Sequence, residues 1–431
     1  MKTVIMAGGK GTRISPVAGD IPKPMVRIGN KPVLEHEMEC LREQGFTDIL
    51  LTVGHLGRVV MDYFGDGSGI SPATGRKFGV HIEYYAENEP LGSGGALFRL
   101  RDCLKEDFLL LNGDVVFDVD FVRFAEFHRS HGGLATLFTH PNSHPYDSGI
   151  ILADGNHAVR KWLAKEDEKP ACYCNRVNAG LHIISPALLD REPPSPKVDL
   201  DREVLKPLAG TGKMFCYDSP EYVKDMGTPD RYEDVCRDFE KGVVRARNLR
   251  NRQKAVFLDR DGTINRYVGF LRRPEELELL ENAAEAVRKI NDSGYLAIVV
   301  TNQPVLARGE VTREQLGEIH DRLETLLGRK GAYLDAIYYC PHHPERGFPG
   351  EVPEWKAVCS CRKPEPGMLL AAAEKFNIDL GQSWMVGDSE RDIRAGQAAG
   401  CGTALIHEGC PSWGQTETVG SLWEFAERIL T

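Results

Sequence analysis

The sequence lacks long hydrophobic runs, an excess of positive charge and a dense set of cysteines. No apolar run approaches the roughly 18 to 20 residues that cross a bilayer. The 11 cysteines in 431 residues are too sparse and irregular for a secreted disulfide framework. The 53 Lys+Arg against 63 Asp+Glu leave a net charge of −10, which argues against a general nucleic-acid binder, because phosphate backbones require a positive surface. We therefore predict a cytoplasmic protein with reduced thiols and no nucleic-acid or membrane partner.

The composition is that of an ordinary folded protein, with 42% hydrophobic and 27% charged residues. At about 150 residues per domain, its length allows three domains or two large ones. Short apolar runs alternate with helix-like segments and glycine turns, which is typical of α/β folds. The pattern restarts after a basic stretch with few large apolar residues. We predict a first domain over 1–235, a basic linker over 236–253 and a second domain over 254–431.

Glycines and basic residues follow the first predicted strand. The glycines are Gly8, Gly9 and Gly11, and after them come Thr12, Arg13 and Lys23. Glycines after a strand let backbone N–H groups approach a phosphate closely, and the two cations would neutralise its charge. The spacing fits neither the Walker motif, because Lys10 precedes Gly11, nor the dinucleotide fingerprint, because Ile14 stands at its last glycine. From these residues alone, a phosphate site and an ordinary glycine turn both remain open.

The glycine pair, the Gly-Thr-Arg segment and a Pro-Lys-Pro segment together resemble the signature of the sugar-1-phosphate nucleotidyltransferases. Further motifs of that family follow in its order within residues 1–235: Glu89–Gly95, Leu111–Asp114, Glu168–Pro170, Asn178–Gly180 and Lys224–Pro229. The resemblance implies a Rossmann-like domain with a mixed sheet. It also implies attack of a sugar phosphate oxygen on the α-phosphorus of a nucleoside triphosphate, with release of pyrophosphate.

This reaction needs charge neutralisation more than a proton carrier. By resemblance, Arg13 holds the triphosphate and stabilises the leaving pyrophosphate, while Lys23 contacts phosphates near the reacting centre. Asp114 and Asp225 are implied as the two Mg²⁺ ligands, and oxygen ligands suit that hard cation. Taken singly, each residue could have a purely structural role, such as a strand-end cap or a turn former.

The resemblance also implies which residues contact the substrates. The implied nucleotide-binding residues are Gly8, Gly9, Gly11, Thr12, Leu91 and Gly92, and the implied sugar-binding residues are Gly149, Glu168, Lys169 and Asn178. Lys169 matches a position near the sugar phosphate. GTP is implied as the nucleotide by resemblance to enzymes of the mannose-1-phosphate type. The polar segment 65–79 is longer than the usual turn of the family, and we predict a surface hairpin or loop there.

A second chemical pattern, Asp-x-Asp-Gly-Thr, follows another apolar run and begins at Asp259. One carboxylate at the strand tip and a second at Asp261 allow nucleophile and acid/base roles around one Mg²⁺. A solvated turn is the alternative for this pair alone. With Thr301, Lys363 and Asp388, the set resembles the haloacid dehalogenase superfamily of phosphatases. That resemblance implies a Rossmannoid fold with a minimal cap.

The resemblance to these phosphatases implies a role for each matched residue. Asp259 would attack phosphorus to form an aspartyl-phosphate. Asp261 would protonate the leaving alkoxide and then help water to hydrolyse the intermediate, while Thr301 and Lys363 hold the phosphoryl oxygens. The carboxylates of Asp259 and Asp388 and the carbonyl of Asp261 would hold Mg²⁺, which offsets the repulsion between a carboxylate and a phosphate dianion.

Three cysteines and one histidine form a set of metal-ligand type in the second domain. They are Cys340, His342, Cys359 and Cys361. A Cys₃His set is typical of a closed structural zinc site, but the Cys-x-Cys spacing is tighter than in a zinc finger, so buried free thiols remain an alternative. The pattern resembles the branch that contains heptose-1,7-bisphosphate 7-phosphatases and histidinol-phosphate phosphatases. That branch implies structural Zn²⁺ in a small lid, and the implied substrate-binding residues are Asn302, Gln303 and Arg362.

Together the two resemblances imply consecutive reactions on one chain. Removal of the 7-phosphate from heptose 1,7-bisphosphate would supply heptose 1-phosphate. The first domain would join that product to GMP from GTP, for a surface polysaccharide such as lipopolysaccharide. One alternative is another sugar nucleotide (an ADP-, UDP-, CDP- or dTDP-sugar) with a phosphatase for a different ester, such as histidinol phosphate. A second alternative is a nucleotide-binding or assembly module without turnover. The sequence leaves a homo-oligomer open.

Overall fold

The computed structural model of the chain describes residues 1–9, 21–54, 56–409 and 411–430. These residues form two compact units. The first unit comprises Met1–His140, Ile151–Trp162 and Asn178–Asn248, and the second comprises Pro141–Ile150, Leu163–Val177 and Leu249–Thr431. Within the described ranges, no helix combines the length and the apolar character that a membrane span requires.

The strands that precede residue 248 form one large sheet and two strand pairs. They are β1 (Thr3–Met6), β2 (Arg27–Ile28), β3 (Lys31–Pro32), β4 (Asp48–Val53), β5 (His81–Ala86), β6 (Phe108–Asn112), β7 (Val115–Asp118), β8 (Ala135–His140), β9 (Ile150–Ala153), β10 (Val159–Leu163), β11 (Val177–Ile184), β12 (Met214–Asp218) and β13 (Tyr222–Asp225). The large sheet has the order β10-β9-β11-β6-β1-β4-β5, with β8 paired to β11 and β12. Strand β1 is parallel to β4 and β6, whereas β11 is antiparallel to β6, so the predicted mixed sheet is confirmed.

Helices cover the sheet of the first unit on both faces. They are α1 (Val33–Glu43), α2 (Gly57–Phe64), α3 (Gly95–Leu100), α4 (Phe121–His131), α5 (Pro229–Glu240) and α6 (Val243–Ala246). Successive side chains of a strand point to opposite faces, so the fully buried neighbours Val4 and Ile5 pack into different hydrophobic clusters. The chain places β4 on one side of β1 and β6 on the other. This reversal opens a crevice at the carboxyl ends of β1 and β6.

The second unit contains a six-stranded parallel sheet. Its strands are β14 (Ala255–Leu258), β15 (Leu296–Asn302), β16 (Ala336–Cys340), β17 (Trp384–Gly387), β18 (Gly402–Ile406) and β19 (Glu417–Val419). They follow the order β16-β15-β14-β17-β18-β19, and each neighbouring pair is parallel. This is the doubly wound order in which the strand sequence reverses between β14 and β17. The predicted Rossmannoid fold is therefore confirmed.

Helices also cover both faces of the parallel sheet. They are α7 (Ala283–Asp292), α8 (Arg313–Gly328), α9 (Gly367–Phe376), α10 (Glu390–Ala399) and α11 (Leu422–Ile429). Val256 and Leu258 pack into one hydrophobic cluster, and Ala255 and Phe257 pack into another. The sequence of a strand that is buried on both faces is a continuous apolar run. This explains why apolar and polar residues do not alternate along β14.

The boundaries between the predicted domains look different in the structure. The expected linker 236–253 begins inside α5 and contains α6, so much of it is helical. Two segments that the prediction placed in the first domain, 141–150 and 163–177, group with the second unit. The inserted segment 65–79 forms the expected hairpin, in which Ile70 and Lys77 pair as an isolated antiparallel bridge.

Segment 163–177 joins the second unit through hydrogen bonds to helix α8. Tyr173 N donates to Thr325 Oγ1 at 3.0 Å, and Asn175 N donates to Glu324 Oε2 at 3.0 Å. The Arg176 guanidinium pairs with the other oxygen of Glu324 at 3.0 Å. Buried backbone groups need such partners, and here they come from residues about 150 positions away. Local sequence patterns do not reveal a partner at that separation.

Candidate active sites

The first candidate site lies at the carboxyl ends of β1 and β6. Gly113 N donates to the carbonyl oxygen of Met6 at 3.1 Å, and a Cβ at Gly113 would lie 3.1 Å from the same oxygen. On the other side of β1, a Cβ at Gly8 would lie 3.0 Å from Glu87 Oε1. Glycine at these positions therefore allows close approach of the loops that follow the strands.

Three of the predicted charged residues lie together in this site. The Lys23 Nζ donates to Asp114 Oδ2 at 2.6 Å and to Asp225 Oδ1 at 3.3 Å. Asp225, at the end of β13, also accepts a bond from Arg231 Nη1 at 2.8 Å. Lys23 is only 6% exposed, whereas the side chains of Asp114 and Asp225 retain 42% and 36% exposure. The fold thus joins residues that lie 91 and 202 positions from Lys23 in the chain.

A buried carboxyl that the sequence did not single out lies beside this group. Glu37 on α1 is 1% exposed, and its two oxygens have no hydrogen-bond partner among the described residues. Burial, reinforced by the charge of Asp114, holds the pKa of Glu37 well above its usual range. The available signal was its place between the apolar residues Leu34, Met38 and Leu41 on one helix, where an acidic residue is unusual.

The predicted nucleotide turn at Leu91 and Gly92 has a fixed backbone. Val198 N donates to Leu91 O at 2.9 Å, and Gly94 N donates to Val198 O at 2.9 Å. Gly92 has a φ of +82°, and a Cβ there would lie 2.4 Å from Val198 O, so only glycine fits. Gly9, three residues after β1, is exposed. The predicted residues Gly11, Thr12 and Arg13 lie outside the described residues.

The predicted sugar-binding residues divide between the two units. Asn178, on β11, groups with the first unit, whereas Gly149, Glu168 and Lys169 group with the second. Glu168 is exposed. The Lys169 Nζ donates to the carbonyl oxygens of residues 145 and 146, each at 2.7 Å. These bonds tie the two second-unit segments to each other.

The second candidate site lies at the carboxyl ends of β14, β15 and β17. Carboxylate oxygens of Asp259, Asp388 and Asp392 lie within 4.8 Å of one another. The Lys363 Nζ lies 2.8 Å from Asp259 Oδ1 and 2.6 Å from Asp392 Oδ1. Gly262 has a φ of +86°, and a Cβ there would lie 2.0 Å from Asp388 Oδ2, so this glycine is what lets the loop approach the carboxylate.

The sequence did not single out Asp392, which is fully buried in this site. Its Oδ2 accepts bonds from Ser389 N at 3.0 Å and Ser389 Oγ at 2.6 Å at the start of α10. Its Oδ1 lies 2.6 Å from the Lys363 Nζ, so the ammonium contacts both Asp392 and Asp259. The missed signal was an acidic residue four positions after Asp388, one turn into a helix that begins at the strand end.

The two aspartates of the Asp-x-Asp pattern have opposite electrostatic surroundings. Burial, with the charge of Asp392, raises the pKa of Asp259 although Lys363 opposes the shift. Burial also favours a higher pKa for Asp261, but the Arg260 guanidinium and the hydrogen bonds to this carboxyl outweigh it and lower its pKa. Arg260 is fully buried, and its Nη2 donates to Asp261 Oδ2 at 2.8 Å. Arg260 is a second residue that the sequence did not single out.

Two residues predicted to contact substrate also bind other parts of the site. The Gln303 Nε2 donates to Asp261 Oδ2 and to Thr301 Oγ1, each at 3.0 Å. The Asn302 side chain donates to Lys363 O and accepts from Lys363 N, each at 3.0 Å. Both side chains therefore position the predicted catalytic groups.

The predicted metal ligands of the Cys₃His set lie together near Arg362. The three sulfurs of Cys340, Cys359 and Cys361 lie 3.3 to 3.6 Å from one another. His342 Nδ1 lies 3.7 Å from the Cys340 sulfur and 3.4 Å from the Cys361 sulfur. The Arg362 Nη1 donates to the carbonyl oxygen of His342 at 3.0 Å, so it ties the two halves of the cluster together.

Comparisons with known proteins agree with these two centres. A family model described as nucleotidyl transferase matches residues 2–242, more than half of the chain. The chain belongs to the nucleotidyl transferase family. A mannose-1-phosphate guanyltransferase of Schizosaccharomyces pombe is 33% identical to this nucleotidyl transferase over 236 residues, which are 54% of this chain and 62% of that protein. The chain thus spans less than two thirds of that relative.

The remainder of the chain matches a second family. A model described as HAD-hydrolase-like matches residues 360–419. A D-glycero-β-D-manno-heptose-1,7-bisphosphate 7-phosphatase of Salmonella typhi is 41% identical over 164 residues, which are 38% of this chain and 85% of that protein. Among solved structures, HddC from Yersinia pseudotuberculosis complexed with GMP-PN is 28% identical, with a TM-score of 0.46, and covers 55% of this chain and 99% of that one. The chain is therefore a fusion of a nucleotidyl transferase domain and a HAD-like hydrolase domain.

Proposed function

We propose that the chain is a cytoplasmic bifunctional enzyme that prepares nucleotide-activated heptose. The second unit removes the 7-phosphate of heptose 1,7-bisphosphate, and the first unit transfers GMP from GTP to heptose 1-phosphate with release of pyrophosphate. One observation carries the proposal. A single chain has a carboxylate centre with a buried lysine in each unit, and the two parts of the chain are similar to a heptose-bisphosphate phosphatase and to a mannose-1-phosphate guanyltransferase.

In the phosphatase step, the Asp259 carboxylate attacks phosphorus while the P–O bond to C7 breaks. Because Arg260 lowers the pKa of Asp261, this carboxyl takes up a proton only as the substrate phosphate binds, and it then passes that proton to the departing alkoxide. Arg260 and Gln303 hold it in place. Water then attacks the aspartyl-phosphate, gives its proton to Asp261 and releases inorganic phosphate. Lys363 neutralises charge on the phosphoryl oxygens, because its ammonium is already held 2.8 Å from the nucleophile.

In the transfer step, an oxygen of the sugar phosphate attacks the α-phosphorus and pyrophosphate leaves. Both reactants are anionic, so the cations supply the main stabilisation. Lys23 meets the phosphates near the reacting centre, where Asp114 and Asp225 hold its ammonium. Arg13 would hold the triphosphate and the leaving pyrophosphate. The turn at Leu91 and Gly92 would contact the base, and its rigid backbone favours discrimination between bases.

The donor sets fit Mg²⁺ in both units. Asp114 and Asp225 share one ammonium in the first unit, and Asp259 and Asp388 lie in one cluster of carboxylates in the second. Carboxylate oxygens are the ligands that this hard cation prefers. When bound, Mg²⁺ would neutralise phosphate charge and orient the phosphoryl group for attack.

The Cys₃His cluster fits a structural Zn²⁺. A tetrahedral zinc with sulfur ligands about 2.3 Å away places its ligand atoms roughly 3.5 to 3.8 Å apart. The sulfurs lie 3.3 to 3.6 Å from one another, and His342 Nδ1 lies 3.7 and 3.4 Å from the sulfurs of Cys340 and Cys361, close to that arrangement. All four ligand atoms lie within 4.8 Å of one another.

The zinc assignment predicts a specific loss of metal and stability. Elemental analysis should find close to one zinc per chain. The Cys359→Ser variant should lose the zinc and inactivate at lower temperature in the phosphatase assay. The matched control is Cys401→Ser, because Cys401 lies outside the cluster. A zinc-free protein of unchanged stability contradicts the assignment.

A coupled assay tests the proposed pair of reactions. The purified chain receives heptose 1,7-bisphosphate of either anomer, or mannose 1-phosphate, with GTP, ATP, UTP, CTP or dTTP. Phosphate, pyrophosphate and nucleotide sugar are measured together. We expect phosphate release first, then GDP-heptose and pyrophosphate in equal amounts. Preference for mannose 1-phosphate, or no phosphate release from either bisphosphate, would overturn the heptose assignment. Formation of another nucleotide sugar would overturn only the choice of GTP.

A further inference from the structure

Strand β11 contains an irregularity two residues after Asn178, which the family resemblance implies as a sugar-binding residue. Gly180 has a φ of +75° inside the strand, and a Cβ there would lie 2.5 Å from Asn112 Nδ2 on the neighbouring strand β6. A glycine with positive φ inside a strand marks a local bend that redirects the neighbouring side chains. The bend therefore sets where the Asn178 side chain lies at the edge of the candidate site.

The orientation of the Asn178 amide follows from its contact with Gly180. Gly180 N–H lies 3.2 Å from the terminal Oδ1 atom of Asn178, and a backbone N–H only donates. The atom that receives this bond must therefore be the amide oxygen. The NH₂ group of Asn178 then faces away from the backbone, and it has no acceptor among the described residues.

A buried histidine contacts the same oxygen. His182 Nε2 lies 3.2 Å from Asn178 Oδ1, and His182 is fully buried. Since Oδ1 can only accept, Nε2 must carry the hydrogen. The other ring nitrogen, Nδ1, has no partner within the described part of the chain, as expected of an unprotonated nitrogen in an apolar place. Burial lowers the pKa of His182 to about 3, so the ring is neutral wherever the enzyme is assayed.

We propose that His182 is a positioning residue that presents the Asn178 NH₂ group as a hydrogen-bond donor to a hydroxyl oxygen of the sugar 1-phosphate. Two donors, Gly180 N–H and His182 Nε2–H, hold the amide oxygen on the inner side. If the Asn178 amide were rotated by 180°, it would present its oxygen to the sugar. Its NH₂ group would then face the two donors, Gly180 N–H and His182 Nε2–H. The inference rests on the proposed function, because that function supplies the sugar 1-phosphate that Asn178, a sugar contact implied by the family resemblance, would bind.

Two substitutions separate positioning from packing. His182→Phe keeps a ring of similar size but removes the donor, whereas His182→Gln keeps a donor at the end of a flexible side chain. We expect His182→Phe to raise the KM for the sugar 1-phosphate about tenfold, as loss of one such hydrogen bond does. The KM for the nucleotide and kcat should stay within about twofold, and His182→Gln should recover most of the loss. Phosphatase activity of the same samples reports that the chain is folded.

Nuclear magnetic resonance can determine which ring nitrogen of His182 is protonated, and it does not depend on catalytic turnover. With ¹⁵N-labelled histidine, the His182 resonances of the full chain should show a neutral ring protonated at Nε2 from pH 5.5 to 8.5. Protonation at Nδ1, or titration within that range, would overturn the proposal. So would a fall in kcat with unchanged KM in His182→Phe, or equal defects in the two variants. If the wild-type chain uses no sugar 1-phosphate, the proposed function fails, and the resonance still decides the orientation of the pair.

Discussion

The two candidate centres use similar residues in very different surroundings. In the first unit, the aspartates beside Lys23 keep 42% and 36% of their side-chain exposure. In the second, the aspartates beside Lys363 keep 14% and 0%. An open centre suits a reaction in which a nucleotide and a sugar phosphate enter together. A closed centre suits a carboxylate that must attack phosphorus itself, since removal of water leaves the nucleophile unshielded.

The difference also appears in how each centre balances its charge. Around Lys23, a second cation, Arg231, pairs with Asp225 at 2.8 Å. Around Lys363, one ammonium lies between Asp259 and the fully buried Asp392. The closed centre therefore depends on each buried partner more strongly than the open one. This comparison predicts that loss of a reacting group costs more activity in the second unit than in the first.

The largest effect is expected from Asp259→Asn. The variant lacks the nucleophile, so phosphate release should fall at least about 10³-fold. Nucleotidyl transfer to heptose 1-phosphate by the same preparation should stay within about twofold of wild type. A parallel loss of both activities would show that the two centres do not work independently.

Removal of the ammonium from the open centre should cost less. In Lys23→Met, we expect nucleotidyl transfer to fall about 10²- to 10³-fold, because one preorganised cation is lost from the transition state. The matched control is Lys2→Met, which loses a surface ion pair with Glu83 and should keep its activity. Phosphate release should not change in either variant. If Lys23→Met were as active as its control, Lys23 would have no part in the chemistry.

A positioning residue of the closed centre should give a smaller loss. Asp392→Asn keeps the shape of the side chain but removes the charge that faces Lys363. Phosphate release should fall about 10- to 100-fold, as for other partners that orient a site residue. The variant Asp379→Asn, at a turn elsewhere in the unit, provides a control for aspartate loss. Unchanged turnover in Asp392→Asn would mean that Asp259 alone positions the lysine.

The smallest effect concerns Asp321, a half-buried carboxyl outside both centres. Burial, with the charges of Glu324 and Glu318, raises the pKa of Asp321 from 3.8 to about 7. A raised pKa in the folded state means that the protonated form favours folding; this contribution is fully present below pH 3.8 and is lost as the pH rises through about 7.

Asp321→Asn should remove that pH dependence. At pH 8.5 the variant should inactivate in the phosphatase assay roughly 2 to 4 °C higher than wild type, and at pH 5 the two should agree more closely. A constant difference across this range would mean that Asp321 is ionised in the folded chain throughout.

Much of the architecture followed from local sequence patterns. The apolar runs at Thr3–Met6 and Ala255–Leu258 predicted strands, and the structure has strands there. Strand-end motifs placed Asp114 after β6 and Asp259 after β14. A strand end followed by glycine and a carboxylate is encoded within about ten residues, so a single stretch of sequence is enough to predict it.

Other features could not be predicted in the same way. The contact between Lys363 and Asp392 depends on which helices pack against which strand ends. The same holds for the buried carboxyl of Glu37, which has no hydrogen-bond partner among the described residues. The grouping of segment 163–177 with the second unit depends on two residues of α8 far along the chain. These contacts have no local signature, because each partner alone looks like an ordinary polar residue on a helix.

The sequence by itself determined which two families the chain combines, since each family signature lies next to a strand end. Tertiary structure alone decided how those residues are tuned. It placed Lys23 between aspartates from distant parts of the chain and buried Asp259 beside Lys363. Charge interactions and burial depend on distances in space, and the order of residues along the chain does not specify those distances.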